Sequence, residues 1–225
     1  MKPTKEIDFN NVEDLTRRLL TGKAITSRFS LEIPERDAAN GIFAAMKAVV
    51  TARGQNLTKD EDTQNHIRLM AKWIIDPQAK AGLMLKGKYG NGKTTLLKAF
   101  KWLVEYASEK TLGINNGHKV CLVTAKHLAD LCLSEEGRKE YRKYFDVPIL
   151  AIDDMGDEPK EVINYGMIYN PVMDLLLHRY DRKLMTLIYT NLTSMEIEKH
   201  YSGRIRDRLR EMMYEIIFEN PSYRK

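Results

Sequence analysis

The spacing of apolar and polar positions changes character near Pro77. Before it, apolar residues recur at helical intervals between recognisable starts and stops. Asn10 and Asn11 open a stretch that runs to Leu20 and stops at Gly22. Pro34 opens a second from Glu35 to Ala52, ended by Gly54. The polar, acidic run from Thr58 to Asp62 leads into a third through Ile67, Met70, Ala71 and Ile74, closed by Pro77. Capping residues before apolar-periodic segments, with Gly or Pro after them, predict three helices. Beyond Pro77, short apolar runs at Gly82–Lys86, Lys119–Thr124, Ile149–Ile152, Met185–Thr190 and Tyr214–Phe218 predict strands. Between them, helical patterns cover Thr94–Glu109, Lys126–Leu133, Lys139–Tyr144, Gly166–Arg182 and Met195–Met213, the last broken near Gly203. Most of these runs lack polar alternation, so most of the strands are expected to be buried on both faces. Strands separated by helices predict an α/β fold: a parallel five-stranded sheet sandwiched by helices, with a small helical region before it. The division expected is residues 1–60 and 61–225.

Residues 87–94 read Gly-Lys-Tyr-Gly-Asn-Gly-Lys-Thr, the phosphate-binding pattern G-x-x-x-x-G-K-[ST]. It lies between an apolar run, Leu83-Met84-Leu85, and a helical stretch beginning at Thr95, which is the strand–turn–helix setting the pattern requires. Glycines let successive backbone N–H groups converge on phosphate oxygens, and the helix N-terminus adds a favourable dipole. Gly87, Lys88, Tyr89, Gly90, Asn91, Gly92, Lys93, Thr94 and Thr95 are therefore the candidate nucleotide contacts. Lys93 would reach the β- and γ-phosphates, and Thr94 would offer its hydroxyl to Mg²⁺.

Ile149-Leu150-Ala151-Ile152 runs into two carboxylates, Asp153 and Asp154. In open α/β sheets ligands lie at the C-terminal ends of strands. There Asp153 would hold the Mg²⁺ shell and Asp154 would polarise the attacking water. The strand Met185–Thr190 ends in Asn191, a polar group able to bond that water or the γ-phosphate. Further on, Arg204, Arg206, Arg208 and Arg210 crowd one segment, and Arg204 and Arg208 share a helix face. An arginine offered to a neighbouring subunit's nucleotide can offset transition-state charge; Arg208 is the first candidate and Arg204 the second.

The chain has 225 residues, is 43% hydrophobic and 30% charged, and carries a net charge of +5 with a pI near 9.0. That balance suits a packed core and is compatible with a nucleic-acid partner. Two cysteines, Cys121 and Cys132, read as reduced buried thiols, and the five histidines show no metal-ligand spacing. The charged start lacks the apolar core of a signal peptide and no apolar stretch approaches membrane length, so a cytoplasmic protein with no membrane partner is expected.

The order of these features resembles the AAA+ helicase loaders of the DnaC type and the related IstB-type transposition ATPases. It rests on the phosphate loop, Asp153-Asp154, Thr190-Asn191, and the Gly203–Arg210 segment with its Asp-Arg-x-Arg. The ending, Ile216-Ile217-Phe218 then Ser222-Tyr223-Arg224, resembles the loaders' last strand and tail. The resemblance covers about residues 60–225. It implies a sheet order 5-1-4-3-2, ATP and Mg²⁺ as cofactors, Asn191 as the sensor residue and Arg208 as the trans-acting finger. It also implies self-association with nucleotide at the subunit interface. Its implied partners are single-stranded DNA and a replicative helicase, or a transposase in the sister group. Only seven residues follow the last strand, so the helical lid of most AAA+ proteins is not expected. Residues 1–60 would grip the partner by analogy alone. The loader likeness places single-strand binding near Lys126, Arg138, Lys139, Arg142, Lys143 and Tyr144, where basic groups can track phosphates and aromatics can stack on bases. Two other readings stand beside this one. A small-molecule kinase would need an acceptor site and an arginine-bearing lid, and neither is seen. A non-catalytic nucleotide switch is disfavoured by the intact Lys93, Thr94, Asp153, Asp154 and Asn191.

Overall fold

The computed structural model describes residues 28–112 and 119–223, together with Glu13 and Thr16, both helical. Those two apart, the helix expected at 10–20 lies outside the described residues. From residue 28 on, two helices lead in, α1 (Glu35–Thr51) and α2 (Glu61–Ile75). Asp60 caps α2 by accepting from the Thr63 amide at 2.8 Å, with Glu61 and Asp62 in the positive first turn. Then follow β1 (Gly82–Gly87), α3 (Lys93–Leu112), β2 (Val120–Thr124), α4 (Ala125–Leu131), α5 (Glu135–Lys143) and β3 (Ile149–Met155). After these come β4 (Val162–Asn164), β5 (Met167–Tyr169), α6 (Pro171–Asp181), β6 (Met185–Thr190), α7 (Ser194–His200), α8 (Gly203–Met212) and β7 (Met213–Phe218).

Five strands form one sheet in the order β2-β3-β6-β1-β7. Every pairing is parallel, from Val120 opposite Ile149 at one side to Gly82 opposite Met213 at the other. Counting sheet strands in chain order, this is the 5-1-4-3-2 arrangement that the family resemblance implied. Helices cover both faces. One core layer joins Leu83, Leu85 and Leu187 to α1, α2 and α3 through Ile42, Trp73 and Phe100. The other joins Met84, Leu150 and Ile188 to α4, α6, α7 and α8. Leu31, Ala38, Ile42 and Met46, from the region before residue 61, are buried in the first layer together with the sheet.

The chain departs from expectation between β3 and α6. Gly166–Tyr169, read as the start of a helix, belongs to an antiparallel hairpin, β4 with β5. Tyr165 and Gly166, its two turn residues, have φ of 50° and 78°. Such two-residue turns match the strand twist and need left-handed residues, which glycine supplies without strain. The helix begins only at Pro171, whose missing N–H is an orphan in a first turn anyway. The broken helix near Gly203 is two helices, each capped: Thr193 and Glu196 form a reciprocal capping box on α7, and Ser202 accepts from Ile205 N on α8. Both cysteines are free thiols, Cys132 buried and Cys121 partly so. Among the described residues, no helix is long and apolar enough to cross a membrane, and no cluster of three or more metal-binding side chains forms.

Candidate nucleotide-binding site

The parallel sheet brings the C-terminal ends of β1, β3 and β6 side by side, and the candidate residues sit there. Gly87 ends β1 with φ 147°, and a Cβ at this position would meet the Phe218 carbonyl oxygen at 2.2 Å. Only glycine allows the phosphate loop to start so close to β7. The loop then folds around the Lys93 ammonium. Lys93 is buried (2% exposed) and donates to Gly87 O at 2.7 Å, to Asn91 Oδ1 at 2.7 Å and to Lys88 O. Its Nζ also lies 4.9 Å from the centre of the Tyr189 ring. Lys88 and Tyr89 are exposed at the loop's rim, while Asn91 is buried. Thr94 and Thr95 open α3, where Arg53 reaches Thr95 Oγ1 at 3.5 Å.

On β3 the pairing with β6 is interrupted by a bulge between Ile152 and Met155, and Asp154 takes a left-handed φ of 54°. A bulge re-aims side chains, and a non-glycine residue held at positive φ is a strain of the kind stored at functional sites. Asp153 is buried and its Oδ1 lies 3.4 Å from Thr94 Oγ1. Burial, then the adjacent Asp154, pushes its carboxyl up to about 6. Asn191 accepts from Tyr189 OH at 3.2 Å through Oδ1, but among the described residues its buried Nδ2 has no partner. These residues fit a triphosphate and Mg²⁺. A dication beside Thr94 and Asp153 would offset two crowded carboxylates, and the Asn191 amide is a donor in want of an acceptor.

Tyr189 was not singled out by sequence. It shares the face of β6 with Asn191, since side chains two apart on a strand point the same way. Its ring supports Lys93, and its hydroxyl, pushed up to about 12 by burial, sits near Asp154 and Asn191. That period was the available signal.

The arginine segment forms α8. Arg204 and Arg210 are exposed. Arg206 pairs with Glu198 at 2.5 Å and Asp207 at 3.5 Å. Among the described residues Arg208 makes no ion pair; its guanidinium lies 4.7 Å from the Tyr180 ring centre, and Tyr180 OH donates to Glu211 at 2.5 Å. Elsewhere, Lys126 on α4 and Lys139, Arg142 and Lys143 on α5 are exposed. Arg138 lies over the Tyr169 ring, with 5.5 Å to its centre. The aromatics beside them turn inward: Tyr141 is buried with its OH donating to Pro171 O at 2.6 Å, and Tyr144 and Phe145 pack against the second core layer. The buried Arg179 donates to Tyr144 O, Phe145 O and Val147 O, fixing the connection from α5 to β3. The exposed aromatic of this region is Tyr165, at the tip of the hairpin and 96% exposed.

No family model and no curated protein matches the chain in sequence. Solved structures do match it in fold. The chain is similar to DnaI, with a TM-score of 0.55 and 18% identity over 84% of this chain and 95% of that one. It is similar to the DnaC helicase loader, with a TM-score of 0.55 and 19% identity over 72% and 93%. A replication initiator, DnaA bound to AMPPCP and single-stranded DNA, matches with a TM-score of 0.53 and 14% identity over 73% of this chain and 49% of that one. At these identities the likeness is one of fold: the chain shares the α/β fold of the DnaI and DnaC structures, a parallel five-stranded sheet flanked by helices.

Proposed function

We propose that this protein is a Mg²⁺-dependent ATPase of the helicase-loader type, self-associating in the cytoplasm and acting on single-stranded DNA with a replicative helicase as its protein partner. The observation that carries the reading is the meeting of Lys93, Thr94, Asp153 and Asn191 at one sheet edge, around a loop that already cradles an ammonium. The DnaC structure is that of a helicase loader and the DnaA structure holds a nucleotide analogue and single-stranded DNA; both support the reading by analogy of fold. In it, loop N–H groups and Lys93 bind the phosphates. Thr94 and Asp153 hold Mg²⁺, which when bound neutralises charge developing on the phosphate oxygens. Asp154 orients and deprotonates the attacking water, and Asn191 donates to that water or to the γ-phosphate. Arg208 reaches the nucleotide of a neighbouring copy, so turnover depends on assembly. Lys126, Arg138, Lys139, Arg142 and Lys143 contribute the DNA contact, while Tyr144, turned into the core, supplies no base-stacking face.

The test is ATP hydrolysis against protein concentration, with and without single-stranded DNA. Turnover per subunit that climbs with concentration and shifts with DNA is expected. A rate indifferent to both would reject the assembling, DNA-coupled enzyme and leave a monomeric nucleotide switch.

A further inference from the structure

The last residue of β7 and the segment that follows it make a set of contacts that nothing above uses. Phe218 O accepts from Asn91 Nδ2 at 3.1 Å. The Asn220 side chain, 6% exposed, donates to Asn91 O at 3.2 Å. The backbone N–H of Tyr223 donates to Gly90 O at 2.9 Å. The Tyr223 ring lies against Gly92, where a Cβ would stand 3.7 Å from it. Six residues of chain therefore hold three consecutive positions of the phosphate loop.

The direction of these bonds matters. In a trans peptide the C=O and the following N–H point to opposite sides of one rigid plane. Holding Gly90 O turns the Asn91 N–H to the other side, and holding Asn91 O does the same for the Gly92 N–H. Those N–H groups are the donors a phosphate loop presents to its ligand. Their bonds to phosphate are worth most when the dipoles are already aligned, because no reorganisation is then needed on binding.

The same segment is fastened on its other side to α2. Tyr223 OH donates to Asp60 Oδ2 at 2.7 Å and lies 3.1 Å from Thr63 Oγ1. Burial alone would raise the Asp60 carboxyl, but the bonds from Tyr223 and Thr63 outweigh it and hold the group below its usual range. His66, one turn further on, stacks on Phe218 with ring centres 3.8 Å apart. The start of α2 and the phosphate loop are thus joined through one short strap.

Resting on the nucleotide-binding reading above, we propose that Asn220 and Tyr223 are positioning residues for ATP: they pin the carbonyl edges of the Gly90 and Asn91 peptides, aim the loop's N–H groups at the phosphates, and make ATP affinity depend on the docking of α2.

The test uses the full chain, with ATP and Mg²⁺ as the probe, titrated calorimetrically and assayed for hydrolysis. Asn220→Asp keeps the side chain's shape but removes its donor. Tyr223→Phe keeps the backbone N–H and the ring on Gly92 and removes only the link to Asp60 and Thr63. Asn220→Asp is expected to raise Kd and KM for ATP about tenfold, and Tyr223→Phe about three- to tenfold, the scale of one lost hydrogen bond. Turnover at saturating ATP stays within about twofold for both, because the catalytic groups at Asp153, Asp154 and Asn191 are untouched. Should Asn220→Asp fail to fold, Tyr223→Phe alone decides. Unchanged ATP affinity in the folded variants, with the parent chain binding ATP, overturns the positioning role and leaves the nucleotide-binding reading standing. A parent chain that binds no ATP overturns both. A fall in melting temperature with KM unmoved would reduce the strap to a structural tie and equally overturn the proposal.

Discussion

Asn91 Oδ1 accepts a hydrogen bond from Lys93 Nζ at 2.7 Å, while the Nδ2 of the same amide donates to the carbonyl of Phe218 at 3.1 Å. One side chain thus both parks the loop's ammonium and ties the loop to β7. Asn91 is 2% exposed, so cutting it to Ala leaves a buried carbonyl unpaired and an ammonium with one acceptor fewer. Such orphaned groups cost about 1–3 kcal/mol. We expect Asn91→Ala to lower stability by about that amount and to weaken ATP binding as well. Lys93→Ala should instead abolish the rise in melting temperature produced by ATP and Mg²⁺. Differential scanning fluorimetry with and without nucleotide separates the two; a preserved nucleotide shift in Lys93→Ala would exclude the lysine from phosphate binding.

A second prediction concerns the carboxylate pair. Asp153 is buried beside Asp154 and 3.4 Å from Thr94 Oγ1. Without Mg²⁺ the pair is a liability, and neutralising Asp153 relieves it. Asp153→Asn is expected to stabilise the nucleotide-free protein by on the order of 1 kcal/mol while weakening Mg²⁺-dependent ATP binding, the trade expected where a site stores repulsion for a ligand. Asp154→Asn should leave ATP affinity near that of the parent and reduce turnover by at least about a hundredfold, the range of a general base. Chemical denaturation without nucleotide, and single-turnover hydrolysis with it, check the two halves. A destabilised Asp153→Asn would mean that the carboxylate makes bonds worth more than the repulsion it suffers.

How far the chain was legible depended on the range of the interactions. The phosphate loop and the Asp153-Asp154 strand end are local patterns whose backbone setting is written within a dozen residues. The parallel sheet followed from apolar runs most of which do not alternate; β7, at the edge of the sheet, is the one whose Glu215 and Ile217 are exposed. The hairpin at 162–169 was hidden because its two strands have three residues each, too short for a period-2 signal, and because Gly166 read as a helix start; the positive φ of Tyr165 declares itself only in three dimensions. The bulge at Asp154 belongs to the β3–β6 pairing and leaves no mark on β3 alone. Tyr223 meets Asp60 and Asn220 meets Asn91 across separations of 163 and 129 residues, which no local pattern reports.

A third prediction follows from Arg208 lying on Tyr180 and, among the described residues, in no ion pair. A finger for a neighbour's nucleotide has to keep its charge available, and an aromatic ring holds a guanidinium without neutralising it. Arg208→Ala should bind ATP as the parent does at low concentration yet lose about a hundredfold or more of the turnover that appears on assembly. Arg206, engaged by Glu198 and Asp207, provides the contrast: Arg206→Ala should keep that turnover within a fewfold range. Mixing Arg208→Ala with Lys93→Ala gives a sharper readout, since a finger acting between subunits restores some activity to two individually inactive chains. Failure of the mixture to hydrolyse ATP would remove the trans assignment.

The last prediction is a pH dependence of stability centred on His66. The imidazole stacks on Phe218 and its Nε2 pairs with Ile217 O at 3.2 Å. Burial lowers its pKa below the ordinary value of 6.5, outweighing the Ile217 bond and the attraction of Asp62 and Asp60. Between the lowered folded pKa and the unfolded one, the unfolded chain binds the proton and the folded chain does not. Stability contributed at this position is therefore complete above about pH 6.5 and is lost as the pH falls through that value, levelling off once the folded imidazole is also protonated. The slope in that window cannot exceed about 1.4 kcal/mol per pH unit for one group. His66→Gln retains a side-chain donor for Ile217 O but does not titrate, so urea denaturation between pH 5 and pH 8 should give a flatter profile than the parent, with the two curves converging in slope above pH 7. Because His66 and Tyr223 clamp the same helix to the same strap, acid should also weaken ATP binding in the parent more than in His66→Gln. Parallel profiles for the two chains would show that the proton is taken up elsewhere.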